Sequence, residues 1–130
     1  MTPQENAALI KGGYEAFGKG DIPAVLGIFS DDVSWHIPGR SPLAGDYHGP
    51  DEVLGFFQKL QERSEGSFRL ELHDVLASDD HVVVLAHEIA HRGDNSLNTL
   101  ATHVWHVRDG RATEFWGIVA DSYAVDAFWS

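Results

Sequence analysis

Eight histidines in 130 residues are the side chains best suited to chemistry near neutral pH. An imidazole exchanges a proton in that range more readily than any other ordinary side chain. His103 stands out among them. Ala101 and Trp105 flank it at strand spacing, so the three share one face of a strand. A neutral His on that face can donate to a ligand oxygen or act as acid or base. The plainer role is a hydrogen bond within the sheet or at a subunit contact. His36 alternates with Trp35 and Ile37, so it faces away from any pocket those two line. His87 and His91 share a parity whose face the pattern leaves open. His81, beside Asp79-Asp80, reads as a solvated turn residue.

These histidines do not form a metal site by spacing. His87 and His91 lie about 13 Å apart on an extended strand, too far to share an ion, and His103 and His106 fall on opposite faces. No metal and no cofactor is expected. The carboxylates read as structural. Asp31-Asp32 fits a solvated strand-entry turn, Asp21 a helix cap, and Glu114 a partner for Arg108 or Arg111 across a hairpin. Gly39-Arg40-Ser41-Pro42 is too short to cradle a phosphate and has no following Lys, so it reads as a lid over a cavity mouth. No nucleophile elbow is present. The absence of cysteine excludes disulfides, thiolate ligands and a Cys nucleophile.

The elements that must position these groups follow from periodicity. Thr2-Pro3-Gln4-Glu5 is a capping box with Pro at the first helical position. Leu9, Ile10, Gly13, Tyr14 and Phe17 then recur at helical spacing, and Gly18 and Gly20 end the helix. Asp21 caps a short second helix carrying Val25, Ile28 and Phe29. Residues 33–37 read as a strand stopped by Pro38-Gly39, and 39–49 as a loop. Pro50 opens a third helix with Val53, Phe56, Phe57 and Leu60 on one stripe. After Gly66 the period changes to two. Strand-like runs cover Phe68 to His73, His81 to Arg92, Leu97 to Arg108, and Arg111 to about Asp121, with Asp109-Gly110 as a hairpin turn. The fold class expected is α+β, with three helices of the N-terminal half packed on a curved mixed or antiparallel sheet around a cone-shaped pocket.

Composition narrows the partners. A net charge of −11, from 20 acids against 9 bases, opposes nucleic-acid binding, which needs phosphate neutralisation. No stretch is long and apolar enough to cross a bilayer. The N-terminus lacks the basic and apolar regions of a secretory signal, so a cytoplasmic location is expected. The length suits one domain spanning 1–130.

The order of elements and several local motifs resemble the SnoaL-like branch of the nuclear transport factor 2-like superfamily. The matching pieces include Tyr14-Glu15-Ala16-Phe17 before Gly20-Asp21, Phe29-Ser30-Asp31-Asp32-Val33, and Trp35-His36-Ile37-Pro38-Gly39. Further matches are Ser41-Pro42-Leu43-Ala44-Gly45, His103-Val104-Trp105, Arg108-Asp109-Gly110-Arg111, Glu114-Phe115-Trp116 and Asp126-Ala127-Phe128-Trp129. The resemblance covers nearly the whole chain and implies the fold more than an activity. Against the ketosteroid isomerases of that superfamily, the general-base Asp falls at Ile37, the first-helix Tyr at Gly13, the supporting Tyr at Phe57 and the oxyanion-stabilising Asp at His103. Against SnoaL-type cyclases, the Asp after Glu114-Phe115-Trp116 is replaced by Gly117, while His103 remains. Asp121, at the same parity as Gly117, would supply a carboxylate nearer the rim. Asp21 resembles the first-helix Asp of the superfamily's dehydratases, but no histidine occurs between His48 and His73 to pair with it.

Two readings follow. One is a cofactor-independent lyase, isomerase, cyclase or hydrolase acting on a small apolar molecule. His103 is its acid/base or oxyanion donor, assisted by Asp121. Phe17, Trp35, Ile37, Phe57 and Leu60, with Trp105, Phe115 and Gly117, shape its pocket. The other is a non-catalytic small-ligand-binding or dimerisation module of the same fold. A second polar group converging on His103 separates them. An outer sheet face made partly apolar by Val104 and Trp116 implies a homodimer.

Overall fold

The computed structural model describes all 130 residues. Helix α1 spans Pro3–Gly18 and begins as its first residues dictate: the Thr2 hydroxyl accepts from the Glu5 N–H, and the Glu5 carboxylate accepts from the Thr2 N–H. Helix α2, Ile22–Leu26, is capped by Asp21. Strand β1 (Phe29–Ile37) and strand β2 (Gly45–His48) precede helix α3 (Gly49–Arg63). Four strands follow: β3 Arg69–Ala77, β4 His81–Arg92, β5 Asn95–Arg108 and β6 Arg111–Val119. Helix α4, Ser122–Trp129, closes the chain.

The six strands form one sheet in the order β2-β1-β6-β5-β4-β3. Every neighbouring pair is antiparallel except β1 with β6, which is parallel, so the sheet is mixed. The β5–β6 hairpin turns at Asp109-Gly110, where both residues have positive φ, 51° and 75°, as a two-residue primed turn requires. Alternation sorts the faces. Val82, Val84, Ala86 and Ala90 of β4 and Leu97, Ala101, His103, Trp105 and Val107 of β5 are buried on the inner face. A register shift opposite His106 and Val107 lets both Ala112 and Phe115 of β6 point inward despite their odd spacing. Helix α1 packs against β3, α3 against β1, and α4 against β5. No helix is long and apolar enough to cross a membrane.

Three expectations change. The stretch 39–49 is not all loop, because Gly45–His48 pairs with the edge of β1. Four residues carry too little pattern to announce a strand; Tyr47 fixes this one by donating to the Leu43 carbonyl and packing its ring on Phe56. There are four helices rather than three, since the chain turns at residue 121 into α4 and lays Phe128 and Trp129 into the core. The last strand accordingly stops at Val119. Asp121 is therefore off the sheet. Its carboxylate accepts from the Ala124 N–H and caps α4.

Candidate functional site

The inner face of the sheet and the helices line a cavity of about 110 Å³ that is partly open to solvent, and 18 of its 24 lining residues are hydrophobic. Helix α1 contributes Phe17, α3 contributes Phe57 and Leu60, and β1 contributes Trp35 and Ile37. Trp105 comes from β5, and Phe115 and Gly117 from β6. The Trp35 and Phe115 rings stack with centroids 3.8 Å apart, and the Trp105 ring stands edge-on to both. Such contacts fix the wall beyond what area burial alone does. The Trp35 indole N–H is buried with no hydrogen-bond acceptor. Pro38, Ser41 and Leu43 of the loop after β1 and Val125 and Trp129 of α4 complete the wall. The Arg40 N–H donates to Asp126, which ties that loop to α4.

The polar part of this wall is a line of three side chains. Tyr14 projects from α1 one position beyond Gly13, and its hydroxyl lies 2.5 Å from His103 Nδ1. On the other side of the imidazole, Nε2 lies 3.1 Å from a Glu88 carboxylate oxygen. The Trp105 indole N–H donates to the Tyr14 oxygen over 3.1 Å. Tyr14, His103 and Glu88 all line the cavity, and His103 is 4% exposed.

Donor counting fixes the proton positions. Indole is only a donor and an ionised carboxylate only an acceptor. With a neutral imidazole, Nε2–H therefore donates to Glu88, and Nδ1 accepts from the Tyr14 O–H. With an imidazolium, Nδ1–H donates to the Tyr14 oxygen and the phenolic proton turns into the cavity. In the neutral state every group in the line is satisfied, and in the protonated state the Tyr14 O–H is left for an acceptor in the cavity. Burial holds the Tyr14 phenol well above its ordinary titration range, and the nearby Glu88 charge adds to this, against the opposing hydrogen bond from Trp105. Tyr14 is thus a neutral O–H, not a phenolate.

Tyr14 and Glu88 are the residues that motif and spacing did not single out. In the folded sheet Glu88 shares the parity of the buried Val82, Val84, Ala86 and Ala90, and the other charged residue of that parity, Arg92, lies at the strand end. Asp121, expected at the parity of Gly117 nearer the rim, does not line the cavity, because β6 has already ended. His36 points to the outer face, between Asp46 at 2.6 Å and Glu114 at 2.7 Å, with its ring stacked on Trp116. Glu114 thus pairs with His36 rather than with an arginine; Arg111 instead donates to the Gly27 carbonyl. His81 bonds Asp80, and the His87 side chain bonds Asn98 on the outer face. No group of three metal-ligating side chains converges.

Residues 10–115 match the SnoaL-like domain. The chain is 28% identical, over the full length of both proteins, to an uncharacterised protein of Mycobacterium tuberculosis. Among solved structures it superposes on Bal32a, from a soil-derived mobile gene cassette, with a TM-score of 0.94, 33% identity and 98% of each chain covered. A nuclear transport factor 2-like protein of unknown function from Burkholderia pseudomallei gives a TM-score of 0.88 at 28% identity, covering 97% of this chain and 98% of that one. TerC, co-crystallised with polyporic acid, gives 0.85 at 25% identity, covering 95% and 97%. With this fold and this match, the chain belongs to the SnoaL-like family of the nuclear transport factor 2-like superfamily.

Proposed function

We propose that this protein is a cofactor-independent acid–base enzyme acting on a small, mainly apolar molecule held in the cavity. The observation that carries this reading is the convergence of two polar side chains, Tyr14 and Glu88, on His103 inside an apolar wall. A binder needs one hydrogen bond and a shape. A buried three-group line that can hold its proton in two places is what proton transfer needs.

In the neutral network the Tyr14 O–H donates to Nδ1, and the Tyr14 oxygen keeps one lone pair free beside the Trp105 bond. A substrate X–H on that lone pair gives its proton to the Tyr14 oxygen as the Tyr14 proton passes to Nδ1. The products are the substrate anion, a neutral Tyr14 and an imidazolium paired with the Glu88 carboxylate. The reverse path returns a proton to a different substrate atom or to a leaving group, a pairing common to isomerases, lyases and cyclases. The roles parallel the orienting acid and relaying imidazole of a hydrolytic triad, with a phenol in place of the nucleophile. TerC, crystallised with a small organic molecule, supports small-molecule binding by this fold.

A substrate-independent probe tests the proposal. Deuterium uptake at the α-carbon of cyclohex-2-enone in D₂O, followed by proton NMR, is expected to exceed the buffer rate. It should fall by about 100-fold or more in Tyr14→Phe and His103→Ala. Uptake equal in the wild type and both variants leaves a ligand-binding module instead.

We also propose that the outer sheet face docks a second copy of the chain. On a protein of net charge −11, the outward positions of β4 to β6 include Val83, Leu85, Leu100, Val104, Trp116 and Ile118, and Leu100 and Ile118 are about half exposed. Charge depletion around an aliphatic centre marks a self-complementary interface. Light scattering should give twice the 14.3 kDa chain mass, and Ile118→Arg should restore the monomer. A wild type of monomer mass removes the proposal.

A further inference from the structure

We infer that the cavity selects an uncharged ligand no larger than one six-membered ring bearing a single hydroxyl or carbonyl, and excludes carboxylated and two-ring counterparts. This rests on the cavity being the site of the acid–base chemistry. Three observations carry it.

The first is size. A cavity of about 110 Å³ is of the same order as the roughly 150 Å³ that accommodates benzene in an apolar protein interior, which is room for one ring. The stacked Trp35–Phe115 pair and the edge-on Trp105 leave flat walls, which suit a ring. The second is charge. No Lys or Arg lines the cavity, and Glu88 is its only carboxylate. His103, the one group able to become cationic there, has Nε2 engaged by Glu88 and Nδ1 by Tyr14. An anionic ligand would lose its hydration, meet no free cation and sit beside a like charge. The third is the number of polar positions offered. Tyr14 presents one free site, an acceptor in the neutral network and a donor in the protonated one, so it matches one hydroxyl or one carbonyl oxygen.

The matched probes are phenol, cyclohex-2-enone, benzoate and 2-naphthol, titrated calorimetrically at pH 8 into the full chain. Phenol and cyclohex-2-enone should bind, and benzoate and 2-naphthol should bind at least about tenfold more weakly, if at all. Glu88→Gln removes the like charge and should narrow the gap between phenol and benzoate. Phe57→Leu enlarges the cavity and should narrow the gap between phenol and 2-naphthol. Benzoate or 2-naphthol binding to the wild type as tightly as phenol overturns the inference, as does failure of both phenol and cyclohex-2-enone to bind. Binding is read here without turnover. Selective binding without deuterium exchange would therefore refute the acid–base reading alone, and exchange without selectivity would refute this inference alone.

Discussion

The Tyr14 hydroxyl and His103 Nδ1 stand 2.5 Å apart although 89 positions separate them in the chain. Helix α1 crosses the inner face of the sheet and brings Tyr14 over β5, where the two rings stack with centroids 5.9 Å apart. On the proposed acid–base reading, a proton taken from the ligand passes through Tyr14 to Nδ1, because Glu88 occupies the far nitrogen of the same imidazole.

Glu88→Gln is the cleanest test of that direction. The amide oxygen still accepts from Nε2–H, so the fold should hold to within about 1 kcal/mol. The imidazolium, however, loses its counter-charge. Deuterium exchange on the enone probe should drop by about 100-fold with little change in its KM. A drop in KM affinity with kcat intact would instead make Glu88 a ligand contact.

The raised Tyr14 phenol gives an alkaline signature. Of three tyrosines, Tyr123 is 88% exposed, whereas burial raises Tyr14 and, less deeply, Tyr47. An unfolded phenol ionises near pH ~10. The native state keeps the Tyr14 proton there while the unfolded chain releases it, so stability falls as pH rises above that value. Absorbance at 295 nm should show Tyr14 ionising only on unfolding. The stability of Tyr14→Phe should decline less steeply between pH 9.5 and 11.5 than that of the wild type.

Gly117 sets the space over Phe115. A Cβ there would lie 3.2 Å from a Phe115 ring carbon and 3.5 Å from Ile37 Cδ1. Gly117→Ala should cost about 1 kcal/mol through overpacking and weaken phenol binding by narrowing the cavity. Gly117→Asp, which puts a carboxylate where the related cyclases carry one, should cost more, because the added charge meets aromatic edges and no cation. Thermal melts with and without phenol separate the two effects.

Local signals in the sequence were strong where one element is self-sufficient. The capping box at Thr2, the helical stripe of α3 and the Asp109-Gly110 hairpin each depend on a few adjacent residues, and each formed as expected. Parity along β5 correctly grouped Ala101, His103 and Trp105 on one face. The relay was hidden because it is tertiary. Tyr14 sits in an apolar stripe, and alignment with the isomerases directed attention to its neighbour Gly13, where a Cβ would come within 2.7 Å of Ile28. Both faces of β4 carry apolar residues, so periodicity alone does not mark the inward face or Glu88 on it. Asp121 departs from its expected place for the opposite reason: strand parity does not extend past the point where its carboxylate starts a helix.

His36 supplies a pH dependence distinct from the cavity. The hydrogen bond to Asp46 raises its titration most, the bond to Glu114 and both charges add to that, and partial burial opposes it. Trp116 lies against its ring, and His106, 3.6 Å from Glu114, competes for the same carboxylate. A histidine raised on folding stabilises the charged native form. Its contribution is complete below the unfolded value near pH ~6.5 and disappears as pH climbs through the higher folded value. His36→Gln keeps a polar side chain but no charge. Its melting temperature should therefore lie furthest below the wild type at about pH 6, and the two curves should converge by pH 9. A constant gap across that range would show that packing on Trp116, not the charge, is what His36 contributes.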